Sequence, residues 1–316
     1  MPASSSIIAF CILVFWVGAI IGLERRVTQR LTLKTLLYPG ILGLYIALWT
    51  LPNLPSGLTS MSRLHQQFVS LIGIFLCSVW LISIIKKDTS IMDIAYPLTA
   101  AVPVWVLLSR EQSWTPHAIM VCLFVTIWAL RLAGHLAVRN LPNGEDARYA
   151  AWRKRYGSHW WWWSAFQIFA LQGVLVSLWC IPLILSIDAS PAGLSAYHAI
   201  AAVLFSVGLY FQAVSDYQLE AFRKTRSSAS EVLNTGLWSL SRHPNYFGEC
   251  LVWWSFGALG MAHELGFLGL LAPIYVTWFM SKGSAAPMQE RYLHKKKPEY
   301  ASYIRDVPAF FPRFKR

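Results

Sequence analysis

The sequence predicts an all-α membrane protein, a polytopic transmembrane helical bundle of about nine spans with its N-terminus outside and its C-terminus cytosolic. Three observations carry this. Of 316 residues, 56% are hydrophobic and 13% charged, whereas soluble domains carry about a quarter charged residues. Apolar stretches of roughly 17–25 residues recur along the whole chain, each long enough to cross about 30 Å of hydrocarbon as a helix. The loops between them alternate in positive charge.

In chain order the expected spans are 6–23, 35–52, 66–85, 94–109, 117–138, 162–186, 197–214, 246–262 and 265–281. The first is followed by Glu24-Arg25-Arg26 and lacks the basic start and small-residue cleavage site of a secretory signal, so it reads as retained. With the N-terminus outside, 25 of the 27 Lys and Arg fall on inner segments, and only Arg63 and Arg110 fall outside. The net charge of +12 is thereby explained by membrane orientation, and no nucleic-acid role is expected. Cys11, Cys77, Cys122, Cys180 and Cys250 stand singly in apolar runs and read as small buried hydrophobes, with neither a disulfide framework nor a metal site. Trp160 to Trp163 read as an interfacial belt of indoles. The lysine triplet Lys295-Lys296-Lys297 reads as a contact with lipid headgroups, and the aromatic tail around it as a segment folded against the bundle.

Ionisable residues at span ends are the first candidates for function, because charge is costly in lipid. Past the seventh span, Asp216, Glu220 and Arg223 fall on one helical stripe. Ser241-Arg242-His243-Pro244-Asn245-Tyr246-Phe247-Gly248-Glu249 leads into the eighth. Pro244 suits a first helical turn, and Asn245, Glu249 and Trp253 then share one face. Arg242 and His243 beside a helix N-terminus suit a phosphate, and Glu249 suits hydrogen bonding to an amide or ribose.

The nonapeptide, with Asp216, Arg223 and the tail pattern Val-Pro-x-Phe-x-Pro, resembles the steroid 5-alpha-reductase-like membrane proteins. The nearest branch is the bacterial type of unassigned function, in a superfamily that also holds sterol C14 reductases and isoprenylcysteine carboxyl methyltransferases. The resemblance covers roughly 70–316; it divides the chain into additional N-terminal spans, 1–65, and a catalytic membrane domain, 66–316. It implies NADPH-dependent reduction of a carbon–carbon double bond conjugated to a carbonyl, as in a 3-oxo-5-alpha-steroid 4-dehydrogenase, on a steroid-like or other lipid. It implies a multi-pass protein of a bacterial inner membrane or an endoplasmic reticulum-type membrane. By matching positions, Asp216, Arg223, Asn245 and Glu249 would hold the cofactor, with Arg242, His243, Tyr246 and Tyr292 beside it. Glu220 replaces a family arginine. Asp93 is the counterpart of the family's substrate-binding carboxylate, Trp128 stands where the family has a tyrosine, Arg131 follows it, and Tyr96 is the substitute phenol. The rival expectations are an S-adenosylmethionine-dependent membrane methyltransferase and a non-catalytic lipid-binding protein.

Overall fold

A computed structural model describes residues 56–110, 114–189, 191, 193–228, 230–283, 285–297 and 299–314. The expected spans 6–23 and 35–52, and with them most of the 1–65 addition, lie outside the described residues; the division at 65/66 falls within the first described helix. Among the described residues all regular structure is helical. The helices are α1 Ser56–Lys86, α2 Ile91–Ala95, α3 Leu98–Leu108, α4 Pro116–Asn140, α5 Ala147–Tyr156, α6 Trp160–Ser164, α7 Leu171–Trp179, α8 Ile181–Ala189, α9 Ala196–Thr225, α10 Pro244–Gly260, α11 Gly266–Gly269, α12 Leu271–Trp278, α13 Ala285–Lys296 and α14 Tyr300–Asp306. Two π-helical stretches, Ala165–Ala170 and Phe279–Gly283, follow α6 and α12.

Five stretches are long and apolar enough to cross a membrane: Ser60–Lys86, Ile91–Leu108, Pro116–Asn143, Ala147–Trp179 and Ala196–Thr225. They correspond to five of the expected spans, with one shifted. The segment expected at 162–186 starts earlier, at Ala147, and ends at Trp179, where Pro182 at the start of α8 lacks the N–H that would continue the ladder. The last two expected spans are not among these five. Helix α10 has 17 residues, about 26 Å of rise, and 265–281 is broken into α11, α12 and a π-helical stretch.

The chain forms two compact units: one runs up to Arg110 and resumes over Val125–Leu178, the other comprises Glu111–Phe124 and Trp179–Arg316. In the first, α1 packs against α3 and against the Ala165–Ala170 stretch. Phe68, Ile72, Leu76 and Val79 bury one face of α1, at helical spacing. The tryptophan run is divided by helical rotation: Trp160 and Trp163 are buried and Trp161 is exposed, so only part of it can act as an interfacial belt. Of the described cysteines Cys122, Cys180 and Cys250 are buried, as expected, while Cys77 is exposed.

The second unit is built on the pair α9 and α10, with α8 and α12 packed on α10. Gly208 of α9 and Gly248 of α10 are both buried and face each other. A Cβ on Gly248 would stand 2.6 Å from the Gly208 carbonyl oxygen, and one on Gly208 would stand 2.8 Å from that of Gly248. Small residues that let two backbones approach are the usual means of helix association where lipid removes the hydrophobic drive. Gly248→Leu is therefore expected to lower stability by about 3 kcal/mol or more, while Gly73→Ala, whose added Cβ meets nothing within 4 Å, leaves it unchanged. Thermal unfolding in detergent compares the two; equal unfolding temperatures would contradict the role given to this contact.

Candidate functional site

The close approach of α9 and α10 sets polar side chains against each other in successive turns. Gln212, one turn after Gly208, donates from Nε2 to Glu249 Oε2, and Trp253 Nε1 donates to Glu249 Oε1 at 3.0 Å. Glu249 is 7% exposed, so both its oxygens are engaged inside the helix pair. One turn further along α9, Asp216 Oδ1 accepts from Asn245 Nδ2 at 3.4 Å. The sequence places Asn245, Glu249 and Trp253 on one face of α10, and that face meets α9. Gln212 carried no signal in the sequence, since an amide within an apolar run is unremarkable until its partner is known.

Arg242 and His243 precede α10, where the sequence suggested a phosphate seat. The structure turns Arg242 toward the tail. Its Nε donates to Glu290 Oε1 at 2.7 Å, and its Nη1 donates to the carbonyls of Ile304 and Val307 at 2.9 and 2.7 Å. Its backbone N–H donates to the Pro308 carbonyl, and Ser241 Oγ donates to that of Phe310. His243 Nε2 lies 3.2 Å from the same Glu290 oxygen, its ring stacked on Tyr246 at 5.3 Å, and Tyr246 Oη donates to Gln289 Oε1 at 2.8 Å. Partial burial pushes the Glu290 carboxyl up, but hydrogen bonds from His243 and Arg242 and the charges of both outweigh it, leaving it below the ordinary carboxylate range. The tail is thus clamped to the start of α10, which fulfils the expectation of a folded tail.

This clamp closes one wall of a cavity of about 410 Å³ within the second unit. Arg223 and Arg226 contribute from the end of α9, Arg242 from the α10 entry, and Lys296 and Lys297 from the end of α13, with Trp238, Tyr292, Tyr300 and Tyr303 supplying aromatic surface. Gly236, at φ +58°, seats the segment carrying Trp238: any Cβ there would fall 2.3 Å from Gln218 Nε2. Gln218 Oε1 accepts from the Leu237 N–H, and Trp238 Nε1 donates to the Ser215 carbonyl. Lys297 donates to the Glu231 carbonyl, and its pKa is lowered by burial and then by the positive charges of Arg226 and Arg223. Tyr300 is 2% exposed and its Oη has no hydrogen-bond partner; burial, then the Glu290 charge, pushes its pKa up to about 12.

Of the expected cofactor residues, Arg223, Arg242 and Tyr292 line this cavity. Asp216, Asn245 and Glu249 belong to the helix contact, and His243 and Tyr246 to the Glu290 clamp. Glu220 pairs along its own helix with Arg223 and Lys224 at 3.9 and 4.0 Å. Arg226, Trp238, Lys296, Lys297 and Tyr300 were not singled out as site residues by the sequence. The lysine triplet read as a headgroup contact, yet two of its members line the cavity, because the tail folds back over α9.

Arg131, Asp93, Tyr96 and Trp128 lie in the first unit. Arg131 is half-buried on α4. Asp93, on α2, accepts from Tyr149 Oη at 2.6 Å and from Arg148 Nη2 at 2.9 Å. Tyr96 is edge-on to the fully buried Trp128, with ring centroids 6.2 Å apart. The phenol that meets Asp93 is therefore Tyr149, whose helix begins only after the polar Glu145-Asp146 turn. That turn is anchored by Glu145, which accepts from Arg153 and from the Thr89 N–H.

A family model described as "Protein of unknown function (DUF1295)" matches residues 79–307. The cobalt-zinc-cadmium resistance protein CzcN of Cupriavidus metallidurans is 32% identical over 82 residues, which is 26% of this chain and 36% of that protein. The chain thus spans little more than a third of this curated relative. No solved structure gives a significant match. Among the described residues no group of three or more His, Cys, Asp or Glu side chains could hold a metal ion.

Arg242→Ala leaves two tail carbonyls without their donor and Glu290 with His243 alone, and is expected to weaken tail docking by about 3–5 kcal/mol, read as faster limited proteolysis within 299–314. Because the folded pKa of Glu290 is depressed, its contribution is complete above the ordinary carboxylate value and is lost as pH falls through the lower folded value. Tail protection in the wild type should therefore decline with acid in that window, and Glu290→Gln should start weaker and lose this pH dependence; an identical pH profile in the variant would refute the assignment.

Proposed function

The chain belongs to the DUF1295 family, part of the steroid 5-alpha-reductase-like superfamily, and from that premise we propose that it is a membrane oxidoreductase using NADPH to reduce an enone in a lipid-like substrate. The observation that carries the reading is the cavity between α9, the α10 entry and the tail. Five cationic side chains and five aromatic rings, Phe222 among them, converge on it, a donor set suited to a ligand with several phosphates and stacking rings. The buried Tyr300 hydroxyl without a partner supports a ligand that supplies one. A volume near 410 Å³ lies within the usual range for small-molecule sites, about 300–1,000 Å³, and would take part of a dinucleotide.

In this reading Arg223, Arg226, Lys296 and Lys297 hold the phosphates, and an anion there offsets the repulsion that, after burial, lowers the Lys297 pKa. Arg242 lines the same wall, but its main work is to hold the tail that forms the wall. Asp216, Asn245 and Glu249 fix the helix pair and act as positioning residues. Bound NADPH supplies a hydride. Asp93 accepts from the Tyr149 hydroxyl and from Arg148 and so positions the phenol, which would turn its one proton from Asp93 to a substrate carbonyl when substrate binds. Tyr149 thus takes the part that the resemblance assigned to Tyr96 or to the Trp128 position. A methyltransferase is disfavoured by the surplus of cations, since S-adenosylmethionine is itself cationic at sulfur and nitrogen.

Thermal unfolding of the purified chain with NADPH, NADH or S-adenosylmethionine tests the ligand class. NADPH is expected to stabilise most, with Arg226→Ala and Lys296→Ala each weakening affinity about tenfold. Vesicle-embedded protein should oxidise NADPH only with an enone lipid present, and Tyr149→Phe should lower the rate without changing NADPH affinity. Stabilisation by S-adenosylmethionine and none by NADPH would sink the proposal.

A further inference from the structure

The first unit contains two cavities that the reaction above does not use, and both lie along one seam. The larger, about 460 Å³, is bounded on α1 by Val69, Ile72, Gly73, Leu76, Cys77 and Trp80, and opposite by the run from Trp162 to Val174. No charged residue lines it. The smaller, about 240 Å³, continues along the same elements with Ser83 and Lys87 on one side and Trp161 and Ser164 on the other, joined by Thr89 and Arg153. On α1 the lining positions recur every three or four residues from Val69 to Ile84, a single helical stripe that ends just before Lys87. Trp80 Nε1 donates to the Trp161 carbonyl at 2.9 Å, pinning the two walls where the apolar length meets the polar end.

We propose that this seam binds one anionic phospholipid of the surrounding bilayer, with an acyl chain along the apolar length and the phosphate at Lys87. The dimensions match: Val69 to Trp80 is about 17 Å of helix, close to half of a hydrocarbon core of about 30 Å. Polarity changes where a lipid's does, at the end of a span, beside a half-exposed Trp161 of the kind found at headgroup depth. The charge is complementary as well. Glu145 is held by Arg153, and Asp88 accepts from its neighbour Ser90, so the nearby carboxylates are engaged while Lys87 lines the polar cavity. The seam is open on its lipid side, since Gly73 and Cys77 are exposed. A chain there would cover them. This binding is independent of the NADPH reading and stands or falls separately.

The full chain, reconstituted in vesicles of equal phosphatidylglycerol and phosphatidylcholine and extracted into detergent, is examined by native mass spectrometry. The wild type is expected to retain one phosphatidylglycerol in preference to phosphatidylcholine. Lys87→Asn, which suits the left-handed backbone there (φ 53°), should lose about fivefold of that preference. Gly73→Trp, whose Cβ meets nothing within 4 Å and whose ring would occupy the seam that Gly73 lines, should lose the retained lipid while the chain still unfolds cooperatively. In the wild type, Cys77 alkylation by N-ethylmaleimide should be slower in phosphatidylglycerol than in phosphatidylcholine vesicles, a readout that needs no variant. Equal retention of both lipids, retention unaffected by Gly73→Trp, or alkylation indifferent to lipid would overturn the proposal. So would cross-linking of Cys77 to cysteines placed in 6–23 or 35–52, which would make the chain's own residues the occupant.

Discussion

Two glycines that nearly touch determine what the rest of the second unit can do. Gly208 and Gly248 bring the backbones of α9 and α10 within a distance that no side chain could share. At that separation Gln212 reaches Glu249 and Asn245 reaches Asp216. A buried carboxylate is costly in an apolar bundle unless donors meet it, and here the donors reach it because the glycines let the helices stand this close. The polar contacts in turn fix the register of the two helices, so the ends of both emerge at a defined spacing.

The tail exploits those ends. Arg242 leaves α10 at a point where its guanidinium can collect three acceptors from a segment some fifty to sixty-five residues later in the chain. An arginine so engaged is a structural fastener, its fork of donors matched to a carboxylate and carbonyls. What it fastens is a wall bearing Lys296, Lys297, Tyr300 and Tyr303 opposite Arg223 and Arg226. The concentration of positive charge is therefore a tertiary product, and at Lys297 it adds to burial in lowering the pKa. A field of that kind favours an anionic partner, which is why the cavity weighs more in the functional reading than any single motif residue.

The first unit follows a different rule. Its polar centre is a turn, Glu145-Asp146, from which Arg148, Tyr149 and Arg153 reach Asp93, Thr89 and Glu145. Those hydrogen bonds tie the α1–α2 connection to the start of α5, and they bring a phenol to Asp93 from 56 positions away. The apolar seam on the same unit carries no comparable network, and its walls are held at the polar end by Trp80 and Trp161.

The sequence by itself determined that this chain is helical and built for lipid, because apolar length and the scarcity of charge are local properties that each segment carries alone. It also determined the helical stripe through Asp216 and the face through Asn245, Glu249 and Trp253, since those follow from the 3.6-residue period. Where apolar length was interrupted by Gly266, Gly269 and Pro273, the final expected span became three pieces, and where Pro182 removed a donor the sixth was displaced. Only the tertiary structure decided that Arg242 serves the tail, that Glu220 pairs with its own helix, that Tyr149 meets Asp93, and that the lysines of the tail face a cavity. Each of these depends on which distant segment lies opposite, and a side chain's reach across space leaves no trace in its neighbours along the chain.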